Sequence, residues 1–310
     1  MIKKLLLTLC LLTNSAWANP VELVVPWAPG GTTDRVAQAI AVFAKPEFAR
    51  QGITLNVVHR PGAGGLLGAN AVASKTPGTL QILLAGNTMI STPIVNPGVA
   101  TYDVARDFVM LGYIGYVPMV MVVNSESGIR SIADFRQACQ QRKLNYGTAG
   151  NGSNTHISSA LVNFYLACRS TAVPYKGAAP AVADLLGGHI DYLSDYEAGV
   201  LPHIQTGKLT PIVVLDRRRT RELPNTPTIV EVGYRDFNFY NWFALAANAT
   251  ATAEQLAQAR RIFDYVLSLP ALHEQLDQLG IRGRQPVPSD FLVTEQRNYM
   301  RILDNANIKP

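Results

Sequence analysis

Charge is scarce and nearly balanced in this chain, and that excludes a first class of partner. Only 16% of the residues are Asp, Glu, Lys or Arg, and 27 basic against 22 acidic side chains leave a formal net charge of +5. Without Lys3 and Lys4, which belong to an N-terminal leader described below, 25 stand against 22, a surplus of +3. So small a surplus does not make the phosphate-neutralising face that nucleic-acid binding needs. The dense basic run Arg217-Arg218-Arg219 follows a strand-like stretch from Thr210 to Leu215 and reads as a solvated loop. Cysteine is rare too: the chain has three, without metal-ligand spacing, so no metal and no other cofactor is expected. No Gly-x-Ser-x-Gly elbow is present, which removes the common serine-hydrolase signature. After Ala18 no apolar run approaches the roughly 18 residues of a spanning helix, so the mature chain is expected to be soluble.

What is present begins with an export signal. Lys3 and Lys4 precede the apolar run Leu5 to Leu12, and a polar stretch closes on Ala16-Trp17-Ala18. This layout predicts a signal peptide over 1–18, cleaved before Asn19. Cys10, preceded by Leu-Thr-Leu, lacks the small residue that lipoprotein cleavage wants just before it. Removing 18 of 310 residues leaves 292, enough for two domains with substantial cores. Cys139 and Cys168 remain in the mature chain. In an oxidising compartment they could pair, because both fall near the ends of predicted helices flanking a strand at Leu144 to Tyr146.

The chain is organised around Val21-Glu-Leu-Val-Val-Pro-Trp-Ala-Pro-Gly-Gly-Thr-Thr-Asp34. The β-branched run ending at Pro26 predicts a buried strand, and apolar residues at 36, 37, 40, 41 and 43 predict an amphipathic helix. Between them Gly30 and Gly31 let the backbone turn tightly, Thr32 or Thr33 can cap the helix, and Asp34 suits its first turn. A strand, a glycine turn and a helix start can bind an anion; the same residues also serve as an ordinary strand-to-helix connection.

Further along, strands are predicted at Ile53 to Val58 and Gln81 to Ala85, separated by a glycine turn and an Ala-rich helix, which argues for a parallel sheet. Asn87 lies at the carboxyl end of the later strand, where open α/β sheets place ligands. A turn-rich segment is expected from Pro93 to Asp107, before Val109 to Gly115. Leu144 to Thr148 then opens a second unit on the same plan, with the loop Gly150 to His156 leading into a helix. Three closing helices are expected at Ala253 to Leu269, Ala271 to Leu279 and Ser289 to Leu303. The expected organisation is two α/β lobes, 19–116 with 242–310 and 117–241, joined by crossings near 116–122 and 237–244 that are natural hinges.

The motifs in this order resemble the periplasmic solute receptors of tripartite tricarboxylate transporters, the Bug proteins. The resemblance rests on Pro26-Trp27 through Gly30-Gly31 to Asp34, Arg60-Pro-Gly-Ala-Gly-Gly65 with Gly68, and Tyr146-Gly147 with Gly150, Gly152, Ser153 and His156. Val173 to Gly177, Asp184 to Gly188 with Asp191, Leu201-Pro202 with Gly207 to Leu209, and Leu223-Pro224 with Pro227-Thr228 continue it across nearly the whole mature chain. It implies an α/β, two-lobed periplasmic binding protein of the Venus flytrap kind, type II-like, a non-enzymatic and monomeric receptor. Such a receptor holds a small organic acid (a di- or tricarboxylate, an aromatic acid or an amino acid) largely with backbone N–H groups and water, then hands it to membrane transporter subunits or a sensor. The jaws it implies run from Trp27 and Ala28 to Asp34 and from Thr148 through Ser153, Asn154 and Thr155 to His156. The chain departs from the family pattern with Trp27 in place of a smaller aromatic, Thr32 in place of proline, Ala160 in place of Glu, and Tyr196-Glu197 in place of Asn and an apolar residue.

Several of these residues have a second reading. Asp195, at a strand's carboxyl end, could accept from a ligand hydroxyl or ammonium, or cap the helix after it. Asp34 would repel a bare carboxylate and could serve the helix dipole instead. Ser153 and Thr148 could donate to a ligand or act as caps, His156 could shape its loop, and Trp27 could wall the ligand or pack at the hinge. A Ser153–His156 pair at i and i+3 raises the alternative of a secreted hydrolase, although no acid is evident to orient the imidazole.

Overall fold

The structure, a computed structural model, describes residues 20–74, 79–235, 237, 239–284, 288 and 290–305. The predicted leader at 1–18 lies outside them. The first half of the chain runs β1 Val21–Val25, α1 Thr32–Arg50, β2 Leu55–His59, a single 3-10 turn at Ala63–Gly65, α2 Leu66–Ala73, β3 Gln81–Gly86, α3 Thr88–Val95, α4 Val104–Asp107 and β4 Phe108–Val117. There follow β5 Met119–Asn124, α5 Ile132–Gln141, β6 Leu144–Thr148, α6 Asn154–Leu166, β7 Ser170–Pro174, α7 Ala178–Leu186, β8 Tyr192–Tyr196, α8 Glu197–Gln205 and β9 Leu209–Val214. The chain closes with β10 Asn241–Asn248, α9 Ala253–Ser268, α10 Pro270–Gln278 and α11 Phe291–Asn305.

Two mixed sheets result, with the same plan. In the first, ordered β2-β1-β3-β10-β4, β1 pairs in parallel with β2 and β3, and β10 runs antiparallel between β3 and β4. In the second, ordered β7-β6-β8-β5-β9, β6 takes the place of β1 and β5 the place of β10. Each sheet thus receives its antiparallel strand from a chain segment that has crossed over from the other. One crossing is abrupt, since Pro118 alone separates β4 from β5; the other uses the irregular 215–240 segment. Strands buried on both faces, such as β3 and β10, read as continuous apolar runs because helices cover both sides.

Prolines inside helices explain where the sequence pattern stops short. Residue i of a helix normally donates to the carbonyl of i−4, which proline cannot do. In α1 the carbonyl freed by Pro46 belongs to Val42, on the solvent face, so the helix runs on to Arg50, past the apolar stripe. In α3 the carbonyl freed by Pro93 belongs to Met89 and accepts from the Tyr102 hydroxyl at 2.8 Å. A helix therefore occupies Thr88–Val95 and runs through Pro93, where the turn-rich segment was expected to begin. Cys139, in α5, and Cys168, just after α6, are joined by a disulfide with their Cα atoms 5.3 Å apart.

Candidate functional site

Four helix starts converge where the loops of the two sheets meet. Gly31 precedes α1 with no side chain to cap it, and the ladder begins with the Arg35 N–H donating to the Gly31 carbonyl at 3.1 Å. The N–H groups of Thr32, Thr33 and Asp34 therefore have no partner within the helix. Gly30, at φ 93°, makes the turn, and its N–H donates to Asp34 Oδ2 at 2.9 Å. At α6 the Ser153 hydroxyl accepts from the His156 N–H at 3.2 Å, which leaves the N–H groups of Asn154 and Thr155 outside the ladder. Gly177 begins α7 without a side-chain cap, and Asp195 and Tyr196 lead into α8.

Between these ends lies a cavity of about 30 Å³ lined by Trp27, Ala28, Gly31, Thr32 and Thr33 from the first sheet's loops and by Ala149, Ser153, Asn154, Thr155, Ala178, Asp195 and Tyr196 from the second's. That is room for about two water molecules. No Lys, Arg or His lines it, so its positive potential comes from helix N-termini, each worth up to about half a unit charge. A roomier groove of about 980 Å³ runs along the β4 edge, lined also by residues of α9 and by Leu292 and Val293 at the start of α11.

The lobes touch beside this cavity. A Cβ on Gly64 would stand 2.1 Å from the Asn151 carbonyl oxygen, and one on Gly150 would stand 3.0 Å from the Gly64 nitrogen. Ser91 Oγ and Thr92 Oγ1 donate to the Gly152 carbonyl at 2.8 and 3.1 Å, and Asn96 Nδ2 donates to the Asn151 carbonyl at 3.2 Å. On the other side the Arg35 guanidinium donates to the Ala198 carbonyl. Ala198 stands four residues before Pro202, so the proline in α8 leaves that carbonyl without a helical donor and available to the opposite lobe.

Three buried oxygens at the cavity lack any hydrogen-bond partner: Thr32 Oγ1, Asn154 Oδ1 and Asp195 Oδ1. Burial pushes the Asp195 carboxyl up to about 7, against the opposing pull of the Tyr196 N–H and of Arg35. Asn154 Nδ2 donates to the Tyr196 hydroxyl at 2.6 Å, and the Tyr196 ring packs on Phe243 of β10.

Not every expected site residue reaches the cavity. Trp27, Ala28, Gly31, Thr32, Thr33, Ser153, Asn154, Thr155 and Asp195 do, the Trp27 indole lying against the bare face of Gly65. Asp34 is turned aside. Burial would raise its carboxyl, but the Gly30 N–H, His59 at 2.8 Å and Gln38 at 3.2 Å hold it low. Asn87 is consumed elsewhere: its Oδ1 accepts from the Trp242 N–H at 2.7 Å, and its amide donates to the Tyr240 carbonyl and the Tyr299 hydroxyl. Thr148 Oγ1 accepts from the Gly150 N–H, so it shapes the loop. His156 takes the Gly152 N–H on Nδ1 at 3.1 Å and stacks on Tyr146; burial lowers its pKa. Its ring does not address Ser153, whose hydroxyl lies 3.0 Å from Thr155 Oγ1. Tyr196, Ala149 and Ala178 were not anticipated. Gly177 before an apolar helix was the available signal for Ala178, whereas Tyr196 was legible only as a departure from the family pattern.

Comparison with known proteins adds to this geometry. The model of the tripartite tricarboxylate transporter family receptor matches residues 40–302. Protein BugT of Bordetella pertussis is 32% identical over 277 residues, 87% of this chain and 82% of that one. The solved structure of periplasmic binding protein BugD superposes with a TM-score of 0.85 at 25% identity, covering 94% of this chain and 99% of that one. An R. palustris protein solved with adipate gives a TM-score of 0.85 at 27% identity, with coverage of 94% and 99%.

Proposed function

This chain belongs to the tripartite tricarboxylate transporter family of receptors, and we propose that it captures a small carboxylate-bearing molecule in the cavity between its lobes and delivers it to a membrane transporter or a sensor. It is a solute-binding protein of the Bug type with a two-lobed fold, and its family and structural neighbours are receptors, not enzymes. The leader-like N-terminus and the periplasmic neighbour support a periplasmic location.

The observation that carries the ligand reading is the convergence of helix starts on a cavity without a basic side chain. Unpaired N–H groups at α1 and α6 give a carboxylate several donors already in place, and the helix dipoles favour its charge. The adipate held by the R. palustris relative points to the same chemistry. A dicarboxylate is larger than the 30 Å³ cavity, so entry requires the jaws to part before they close around the guest. We place the moving bodies at 19–116 with 242–310 and at 117–241, with hinges at Pro118 and in the segment before β10. Closure excludes water from the amide contacts and so strengthens them.

The hydrolase alternative has no geometric support, because the His156 ring is bound to its own loop and Ser153 is engaged as a cap. Calorimetry of the mature protein against dicarboxylates, aromatic acids and amino acids, paired with small-angle scattering, tests the proposal. At least one acid is expected to bind and to compact the protein; no binding by any acid, or binding without compaction, refutes it.

A further inference from the structure

Resting on the carboxylate-receptor reading, we propose that Pro202 and Arg35 are positioning residues for closure: the proline keeps a main-chain acceptor free on α8, and the arginine of the opposite lobe takes it only when the jaws meet. Neither side chain lines the cavity. The start of α8 lies against the start of α1, since a Cβ on Gly199 would stand 3.2 Å from Thr32 Oγ1. Arg35 follows Thr32 by three residues and so lies on the same face of α1. From there its guanidinium donates to the Ala198 carbonyl, while its Nε is buried without a partner. Asp195 is near enough for the charge of Arg35 to oppose the rise of its carboxyl, yet Asp195 Oδ1 accepts from nothing. The acceptor of the guanidinium is a backbone oxygen.

That oxygen is available for a local reason. In an unbroken helix it would be bonded to the N–H of residue 202. Pro202 removes this donor, and its ring crowds the oxygen away from the helix axis. A cation at a helix start otherwise works against the dipole. Pro202 is exposed, so packing in the core does not account for it. In α1 and α3 a proline likewise frees a carbonyl, but that of Val42 faces solvent and that of Met89 is bonded by Tyr102 of its own lobe. In α8 the freed oxygen is bonded from across the cleft. With the jaws apart, water serves both partners; on closure the charge-assisted bond forms where water is excluded, so it favours the closed state alone. An alanine at 202 restores the helical donor, which claims the oxygen in the open and the closed protein alike. The fold then gains and closure loses.

Calorimetry with succinate, malate, adipate, benzoate and aspartate measures affinity, and thermal melting of the ligand-free mature protein measures stability. In Pro202→Ala the tightest of these acids is expected to bind about fivefold or more weakly, while the melting temperature does not fall. Arg35→Ala is expected to weaken the same acid about tenfold or more. The double variant is expected to bind no more weakly than Arg35→Ala, because the proline acts through the arginine. Pro46→Ala, which restores a donor on the solvent face of α1, is the control and leaves affinity unchanged. Affinity of Pro202→Ala within about threefold of wild type overturns the proposal, as does a double variant whose loss is the product of the two single losses. A melting temperature that falls together with affinity in Pro202→Ala marks a merely structural role and overturns it too. Should that variant not fold, Arg35→Ala decides alone by the same limit. All of these outcomes leave the carboxylate reading standing; binding of none of the acids by wild type removes both.

Discussion

Gly64→Ala tests whether closure of the lobes underlies binding. Gly64 sits at φ 64°, and a Cβ there would approach the Asn151 carbonyl oxygen to 2.1 Å, a contact that backbone cannot absorb without moving. Holding alanine in the left-handed region costs about 1 kcal/mol whether the cleft is open or closed, so stability falls modestly. The clash exists only when the jaws meet. Relieving it pulls the Gly150–Gly152 turn away from Ser91, Thr92 and Asn96 and breaks their three bonds to Gly152 and Asn151. At about 1 kcal/mol net for each, the closed state loses about 3 kcal/mol. Affinity should fall about a hundredfold, since every 1.4 kcal/mol is about a factor of ten. Calorimetry with the tightest acid, together with scattering on the saturated protein, reads both effects, and Gly98→Ala, with no atom within 4 Å of its added Cβ, is the control. Affinity within about threefold of wild type, with full compaction, would refute the reasoning.

Three further perturbations address single residues. Asp195 keeps its proton up to about pH 7 in the folded chain against an ordinary value of 3.8. With the jaws closed, the protein should therefore lose stability as pH rises from about 4 to about 7 and lose no more beyond, by at most about 4 kcal/mol. Asp195→Asn should flatten that slope in denaturant titrations, and an unchanged slope counts against the assignment. His156, lowered by burial, acts oppositely, losing stability as pH falls below 6.5, so the difference between variant and wild type isolates Asp195. Replacing Cys139 and Cys168 by alanine opens a loop with a sequence separation of 29 and should cost about 3 to 4 kcal/mol, seen as a lower melting temperature with ligand affinity unchanged. Asn87→Ala strips the bonds to Trp242, Tyr240 and Tyr299. It should destabilise by about 2 to 4 kcal/mol while the folded fraction binds normally; lost affinity at full stability would return Asn87 to the ligand.

Much of the architecture was written locally. β-Branched and continuous apolar runs located the strands, the 3.6-residue period located the closing helices, and glycines before apolar runs located the turns at Gly30 and Gly150. The helix at Thr88–Val95 was not legible, because the Tyr102 hydroxyl that takes up the carbonyl freed by Pro93 comes from a separate segment. At Asp34 and Asn87 partners likewise come from distant segments. Each stands at the correct end of a strand or helix, yet its polar atoms are bound by His59 and Gly30, or by Trp242, Tyr240 and Tyr299.

Backbone propensity and hydrophobic period act over a few residues, so the sequence by itself determined the two similar α/β units and the glycine turns and helix starts within each. The tertiary structure alone decided that four of those starts share one cavity, that Pro202 frees a carbonyl for Arg35 of the opposite lobe, and that Thr32, Asn154 and Asp195 line the cavity, each with one oxygen left without a partner. Those relations join residues more than a hundred positions apart, and they arise from how two sheets are brought together, which no local pattern records.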